Sequence, residues 1–154
     1  MMTLCSDVLK VLAGKTLATA ESCTGGGIGA ALTAVSGASA VYKGGIISYT
    51  NWVKHHLLCV PEEMFVTFGA VSAPVAQAMA RGARNALQTD VAVSVTGLAG
   101  PGGDEFGNPV GTVFIGYADR ENVISREYHF EGTREDVRNC AIRESLKLIL
   151  EQNG

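Results

Sequence analysis

Apolar residues recur along this chain at two alternating periods, and the alternation sketches a fold. From Thr3 to Ala13, Leu4, Val8, Leu9, Val11 and Leu12 follow a helical repeat that Gly14 closes. Thr16–Glu21 (TLATAE) is short and rich in strand formers. Helical spacing returns over Thr24–Val35 through Ile28, Ala31, Leu32 and Val35. Val41–Thr50 (VYKGGIISYT) reads as a strand whose paired glycines mark a bulge or a close backbone approach. Asn51 is placed to cap a helix running to about Leu58, and Pro61-Glu62-Glu63 suits the first turn of another. Ser72, followed by Pro74, begins a long helix to about Leu87 with Val75, Ala78, Met79, Ala83 and Leu87 on one face. Asp90–Thr96 has the pattern of a buried strand, and Gly111–Ala118 and Val123–Phe130 form a hairpin around Asp119–Asn122. Thr133 with Asp136 gives a capping box for a last helix to about Gln152, its apolar face Val137, Cys140, Ala141, Ile142, Leu146, Leu148 and Ile149.

This order, α β α β α α α β β β α, predicts an α/β fold: a three-layer α/β/α sandwich around a mixed β-sheet. With 154 residues and no repeat or linker, residues 1–154 read as a single domain. Sheets covered on both faces bind ligands at the carboxyl ends of their strands. Three segments fall at such ends: Glu21–Thr24, Ser48–Thr50 and Thr96–Gly97. The intervening loop Gly97–Pro109 holds five glycines and two prolines, and loops of this length in compact domains are commonly functional.

Composition narrows the function. A net charge of −3 with scattered arginines excludes nucleic acid as a direct ligand. Ser22–Tyr42 lacks charge, but its glycine, serine, threonine and alanine content makes it a poor membrane span, so no membrane partner is expected. No signal peptide is visible at the N-terminus. The four cysteines form no CxxC pair, which fits reduced thiols, a cytoplasmic location and no metal site.

AESCTGGG (Ala20–Gly27) runs from a strand end into a helix start, placing the Ser22 hydroxyl at the sheet's edge beside unpaired amides that favour negative charge. Such a turn can be an oxyanion hole or a phosphate cradle. On this segment alone, an N-cap at Ser22 or Thr24 with packing glycines is the more economical reading. Cys23 is a rival nucleophile, ranked below Ser22 because small cysteines are common core residues. In YTNWVK, Tyr49 ends a strand and Lys54 lies one turn into the next helix. A serine nucleophile needs a base, and lysine serves only where desolvation or nearby cations lower its pKa; taken alone, Lys54 reads as an ordinary surface lysine. His55, His56 and His129 have no carboxylate partner nearby in sequence. Arg134, in the first turn of the last helix, opposes the macrodipole, and a locally disfavoured residue suggests a ligand role such as binding a phosphate oxygen.

AESCTGGGIGAAL, GGIISYTNWVKHHLLCV, GAVSAPVAQAMA, VSVTGLAGPGG, PVGTVFIGY and FEGTREDVR, in this order from about Leu4 to Leu150, resemble the CinA C-terminal domain family of competence/damage-inducible proteins. The resemblance implies a nicotinamide-nucleotide amidohydrolase, which deamidates nicotinamide mononucleotide (NMN) in pyridine nucleotide salvage without metal or organic cofactor. It puts the nucleophile on Ser22, the supporting tyrosine and lysine on Tyr49 and Lys54, and substrate contacts on Thr24, Gly25, Thr96 and Arg134. It also allows a homodimer, and because longer relatives carry an N-terminal domain, the chain reads as a stand-alone form. Two other readings stay open: a nucleotide-binding regulatory module without catalysis, and an amidase for another pyridine or amino-acid amide.

Overall fold

A computed structural model describes all residues, Met1–Gly154. The elements are α1 (Met2–Val11), β1 (Leu17–Glu21), α2 (Gly27–Thr33), a 3-10 turn at Ala38–Ala40, β2 (Tyr42–Ile47), α3 (Asn51–Leu58), α4 (Glu62–Phe68), α5 (Ala73–Leu87), β3 (Val91–Gly97), β4 (Thr112–Ala118), β5 (Val123–His129) and α6 (Arg134–Asn153). The sheet order is β2-β1-β3-β4-β5. The first three strands are parallel and the last two antiparallel, so the sheet is mixed as expected. No helix is long and apolar enough to cross a membrane.

The two faces of the sheet are built from different residues because side chains alternate along a strand. Leu17, Val93, Val95, Val113, Ile115 and Tyr117 join the larger core with α1, α2 and α6. Their neighbours Ala18, Ala20 and Ala92 meet α3 and α5 through Leu58, Val75, Met79 and Ala83. Small residues on this second face let α5 approach closely enough for the Ser94 hydroxyl to donate to the Ala76 carbonyl at 2.6 Å. The register between β1 and β2 slips beside Leu17, with Tyr42 opposite Leu17 and Gly44 opposite Ala18. Lys43 is therefore the extra residue of a bulge; Gly44 follows it at a φ of +151°, and a Cβ on Gly45 would run into the Thr19 hydroxyl, so both glycines have a local reason.

Three local expectations are corrected. Helix α2 begins at Gly27 rather than Thr24, because Gly25 and Gly26 take left-handed φ angles of +59° and +102° and carry the chain through a turn first. Thr50, not Asn51, caps α3, its hydroxyl accepting from the Val53 amide at 3.4 Å. On α6 the capping box of Thr133 and Asp136 is present, but Cys140 is only half-buried and Ser145 is the buried polar residue of the inward face. The Ser145 hydroxyl satisfies itself on the Ala141 carbonyl.

Candidate active site

Parallel pairing of β2, β1 and β3 brings three loop starts together. The Ser22 amide continues the ladder to Val95 O (3.0 Å), and the Ser48 amide continues it to Glu21 O (2.8 Å). Ser22, Ser48 and Thr96 thereby stand side by side at the carboxyl edge. A cavity of about 300 Å³ opens there, walled by Ser22, Tyr49, Lys54, Thr96 and Arg134 among others.

Lys54 reaches this cavity from the first turns of α3, whose start is fixed by the Thr50 cap. Its amine lies 3.0 Å from Ser22 Oγ and donates to the Ser48 carbonyl at 2.8 Å. Lys54 is 2% exposed and Ser22 7%. Burial outweighs all else acting on the amine and lowers its pKa from 10.5 to about 8. Roughly a tenth of molecules thus hold a neutral amine at pH 7. A neutral amine has two N–H groups and one lone pair: Ser48 O takes one proton, and the lone pair can receive the Ser22 hydroxyl. The pair has the geometry of nucleophile and base.

The remaining expected residues divide. Arg134 and Thr96 line the cavity. The Arg134 guanidinium donates to Gly100 O (2.6 Å) and to Tyr49 Oη (3.2 Å), bridging the glycine-rich loop to the strand end. These bonds explain a cation in a first helical turn. Thr96 is buried, and its hydroxyl donates to Ala70 O (2.8 Å). Tyr49 also lines the cavity but is 60% exposed, and its hydroxyl meets Arg134, while both hydrogen bonds of the Lys54 amine go elsewhere. The expected direct support of Lys54 by Tyr49 is therefore replaced by a contact between Tyr49 and Arg134.

Thr24 and Gly25 stand outside the cavity wall. Thr24 is fully buried and its hydroxyl donates to Glu21 Oε1 at 2.7 Å. The start of α2 is also already engaged, since Ile28 N and Gly29 N donate to the two Glu21 carboxylate oxygens at 2.7 and 3.0 Å. For the first amides of α2 itself the expectation of a ligand is corrected: a buried carboxylate answers the macrodipole there. Arg138 on α6 holds the same turn from another element, donating to Cys23 O (3.0 Å) and Thr24 O (3.2 Å). Sequence reasoning missed Glu21 and Arg138. The acid one residue before Ser22 was a usable signal for Glu21; Arg138 offered none.

Cys23 lines the cavity too, but burial pushes its thiol up to about 11, so it is the weaker nucleophile. The histidines are engaged elsewhere, and two of them, against expectation, with carboxylates close in sequence: His55 meets Glu62 and Val60 O, His129 meets Glu127 and Thr112, and His56 meets Trp52.

Fold and site together define a three-layer α/β domain with a serine–lysine pair at the carboxyl ends of parallel strands. This chain belongs to the CinA C-terminal domain family, whose model matches residues 2–153. It is 46% identical over 151 residues to a CinA-like protein of Synechococcus sp. (strain RCC307), covering 96% of this chain and 36% of that protein. A CinA-like protein of Geobacter metallireducens is 50% identical over 125 residues, covering 81% and 30%. The chain thus spans about a third of the length of these curated relatives. Among solved structures, competence/damage inducible protein CihA of Agrobacterium tumefaciens matches with 38% identity and a TM-score of 0.95, covering 99% of this chain and 95% of that one. A CinA superfamily protein of Escherichia coli matches with 34% identity and a TM-score of 0.96, covering 98% and 89%.

Proposed function

We propose that this chain hydrolyses the carboxamide of NMN to nicotinate mononucleotide and ammonia, with Ser22 as nucleophile and Lys54 as base, in the cytoplasm and without a cofactor. The observation that carries the reading is the 3.0 Å contact between a buried serine hydroxyl and a buried lysine amine on one cavity wall. The NMN carboxamide is attached to a cationic ring that withdraws electrons from its carbonyl. Ser22 Oγ adds to that carbon while Lys54 takes the hydroxyl proton. As the tetrahedral adduct collapses, the C–N bond breaks and Lys54 returns the proton to the leaving nitrogen, giving ammonia and an ester on Ser22. Water then adds to the ester, again giving up a proton to Lys54. The C–Oγ bond breaks, the proton returns from Lys54 to Ser22, and the product leaves as the acid, which gives its remaining proton to solvent or ammonia and becomes the carboxylate.

Cavity chemistry supports an anionic pyridine nucleotide. Its walls carry two cationic side chains, Lys54 and Arg134, and no carboxylate. In this reading Arg134, held at the rim by Gly100 O and Tyr49, binds the 5'-phosphate, a group that planar guanidinium forks pair with strongly. The pyridinium charge beside Lys54 further favours the neutral amine on which the mechanism depends.

Ammonia release from NMN by the purified chain tests the reading, with free nicotinamide as the comparison that lacks ribose and phosphate. The expected result is turnover of NMN and little of nicotinamide. Ser22→Ala is expected to lose at least about 10³-fold in kcat while still binding NMN. NMN binding without ammonia from the wild type points instead to a regulatory module, and an active alanine variant removes Ser22 from the mechanism.

A further inference from the structure

The turn that carries Ser22 is held by two side chains that do not touch the cavity. Glu21 fixes it from β1 through Thr24 and the first amides of α2. Arg138 fixes it from α6 by donating to two successive carbonyls, Cys23 O and Thr24 O. Apart from Lys54, which meets the Ser22 hydroxyl itself, no other charged side chain bonds this turn from another helix. In a trans peptide the C=O and N–H point in opposite directions, so pinning a carbonyl also aims the amide of its own peptide. The Ser22 carbonyl accepts from Gly25 N at 3.1 Å, which sets the amide of Cys23; Arg138 on the Cys23 carbonyl sets the amide of Thr24. Neither of these two amides meets a carbonyl acceptor. They adjoin the nucleophile, and Cys23 stands on the cavity wall.

We propose that Arg138 is a positioning residue for the reaction, holding the Ser22 turn so that the hydroxyl stays on Lys54 and the Cys23 amide, on the cavity wall, is available to the developing oxyanion. The inference rests on the serine–lysine reading given above. A guanidinium suits the task because its donors lie in a rigid fork and can span consecutive carbonyls, which an ammonium cannot. Its charge on the carbonyl side also draws electron density from the amides and makes them stronger donors. Both effects act where charge develops in the transition state, so they fall on kcat rather than on substrate binding. Arg134, four residues earlier, faces the cavity instead; one helix thus presents a substrate-side arginine and a turn-side arginine.

The test compares wild type, Arg138→Gln and Arg138→Lys by NMN turnover, by thermal melting, and by the rate at which a fluorophosphonate labels Ser22, detected by mass spectrometry. In that labelling Ser22 Oγ displaces fluoride from phosphorus, and no pyridine nucleotide is needed. Expected for Arg138→Gln is a fall in kcat of roughly 10- to 100-fold with KM within about twofold, and a parallel fall in labelling rate. Arg138→Lys recovers only part of both, and methylguanidine restores part of the activity of Arg138→Gln. A KM that rises while kcat and labelling hold assigns Arg138 to the substrate and overturns the proposal. Equal labelling rates in wild type and variant, absence of labelling in both, or losses matching only the unfolded fraction overturn it as well. If the wild type releases no ammonia from NMN yet is labelled faster than Arg138→Gln, the substrate assignment fails and the positioning role stands.

Discussion

The two ends of the parallel strands treat their polar groups, half-buried at one end and buried at the other, in opposite ways. At the amino end, Thr16 and Asp90 precede β1 and β3 and satisfy each other. The Asp90 carboxylate accepts from Thr16 N (2.9 Å) and Thr16 Oγ1 (3.1 Å), and the Asp90 amide donates back to Thr16 Oγ1 (3.0 Å). The Thr16 amide, then its hydroxyl, hold the Asp90 carboxyl below the usual aspartate value. Nearby, Tyr117 donates to Asp119, whose other oxygen takes the amides of Glu121 and Asn122. At the carboxyl end the amine of Lys54 is driven toward neutrality by burial, and the Ser48 hydroxyl, fully buried, meets no partner. Paired polar groups at one end stabilise the fold; incompletely compensated ones at the other cost stability. That asymmetry separates scaffold from site more sharply than residue type does, since both ends are rich in Ser, Thr and charged side chains.

Lys54→Met gives the largest expected effect. Turnover falls by at least about 10³-fold, because the nucleophile loses its base. Stability at neutral pH should rise in the same variant. A lysine whose pKa is about 8 when folded and 10.5 when unfolded penalises the fold by roughly 3 kcal/mol at neutral pH. Losing the hydrogen bonds to Ser22 and Ser48 offsets part of this, leaving a gain of about 1–2 kcal/mol in a urea melt at pH 7. An inactive but destabilised variant breaks the comparison, for it would place Lys54 with the scaffold.

The pH dependence follows with its sign fixed. Only the neutral amine accepts the serine proton, so kcat/KM should climb about tenfold per pH unit below 8 and level off above it. Stability tracks the same group: between about pH 8 and 10.5 the unfolded chain binds the extra proton, so the Lys54 contribution to stability grows with pH across that window. A rate profile that is flat from pH 6 to 9 removes Lys54 as the titrating base.

Much of this architecture is legible in the sequence because it is locally encoded. Helical periods mark α1, α2, α5 and α6, composition and turn residues mark the strands and the two short helices, and Thr133 with Asp136 marks the last helix start. Strand-end placement of Ser22, Tyr49 and Thr96 follows once β2, β1 and β3 are parallel. What the sequence does not display is where a side chain goes after it leaves its element. Lys54 reads as a surface lysine; only in the folded chain is it buried, with its amine between Ser22 Oγ and Ser48 O. Tyr49 is drawn to Arg134, 85 residues away, and Arg138 reaches Cys23 across 115 residues. The catalytic roles came from resemblance, and the supporting contacts are tertiary facts with no local signature.

The opposite end offers the converse experiment. Asp90→Ala removes a carboxylate that accepts two hydrogen bonds and ties the starts of two neighbouring strands. A loss of about 2 kcal/mol is expected at pH 7 with kcat and KM for NMN unchanged. Because folding depresses the Asp90 pKa, its contribution is complete above the ordinary value of 3.8 and disappears as pH falls through the folded value. Wild type and variant should therefore begin to converge in stability only once the pH falls below 3.8. A change in kcat without a change in stability would show the two ends to be coupled.

The smallest effect tests where the boundary runs inside the site itself. Cys23 adjoins the nucleophile and lines the same cavity, yet its thiol is pushed up to about 11, with burial outweighing its own amide and the nearby Lys54 and Arg138 charges. At pH 7.5 its thiolate fraction is on the order of 10⁻³ or less, too small for efficient alkylation. Cys59 is exposed at the end of α3, whereas Cys5 is buried and Cys140 half-buried. Iodoacetamide should therefore modify Cys59 first, leave Cys23 intact in a mass-spectrometric map, and leave NMN turnover unchanged over the same interval. Alkylation of Cys23 that keeps pace with Cys59 and with loss of turnover would mean that the charges around Ser22 outweigh burial at the neighbouring thiol. The boundary between scaffold and site would then lie one residue further along the turn.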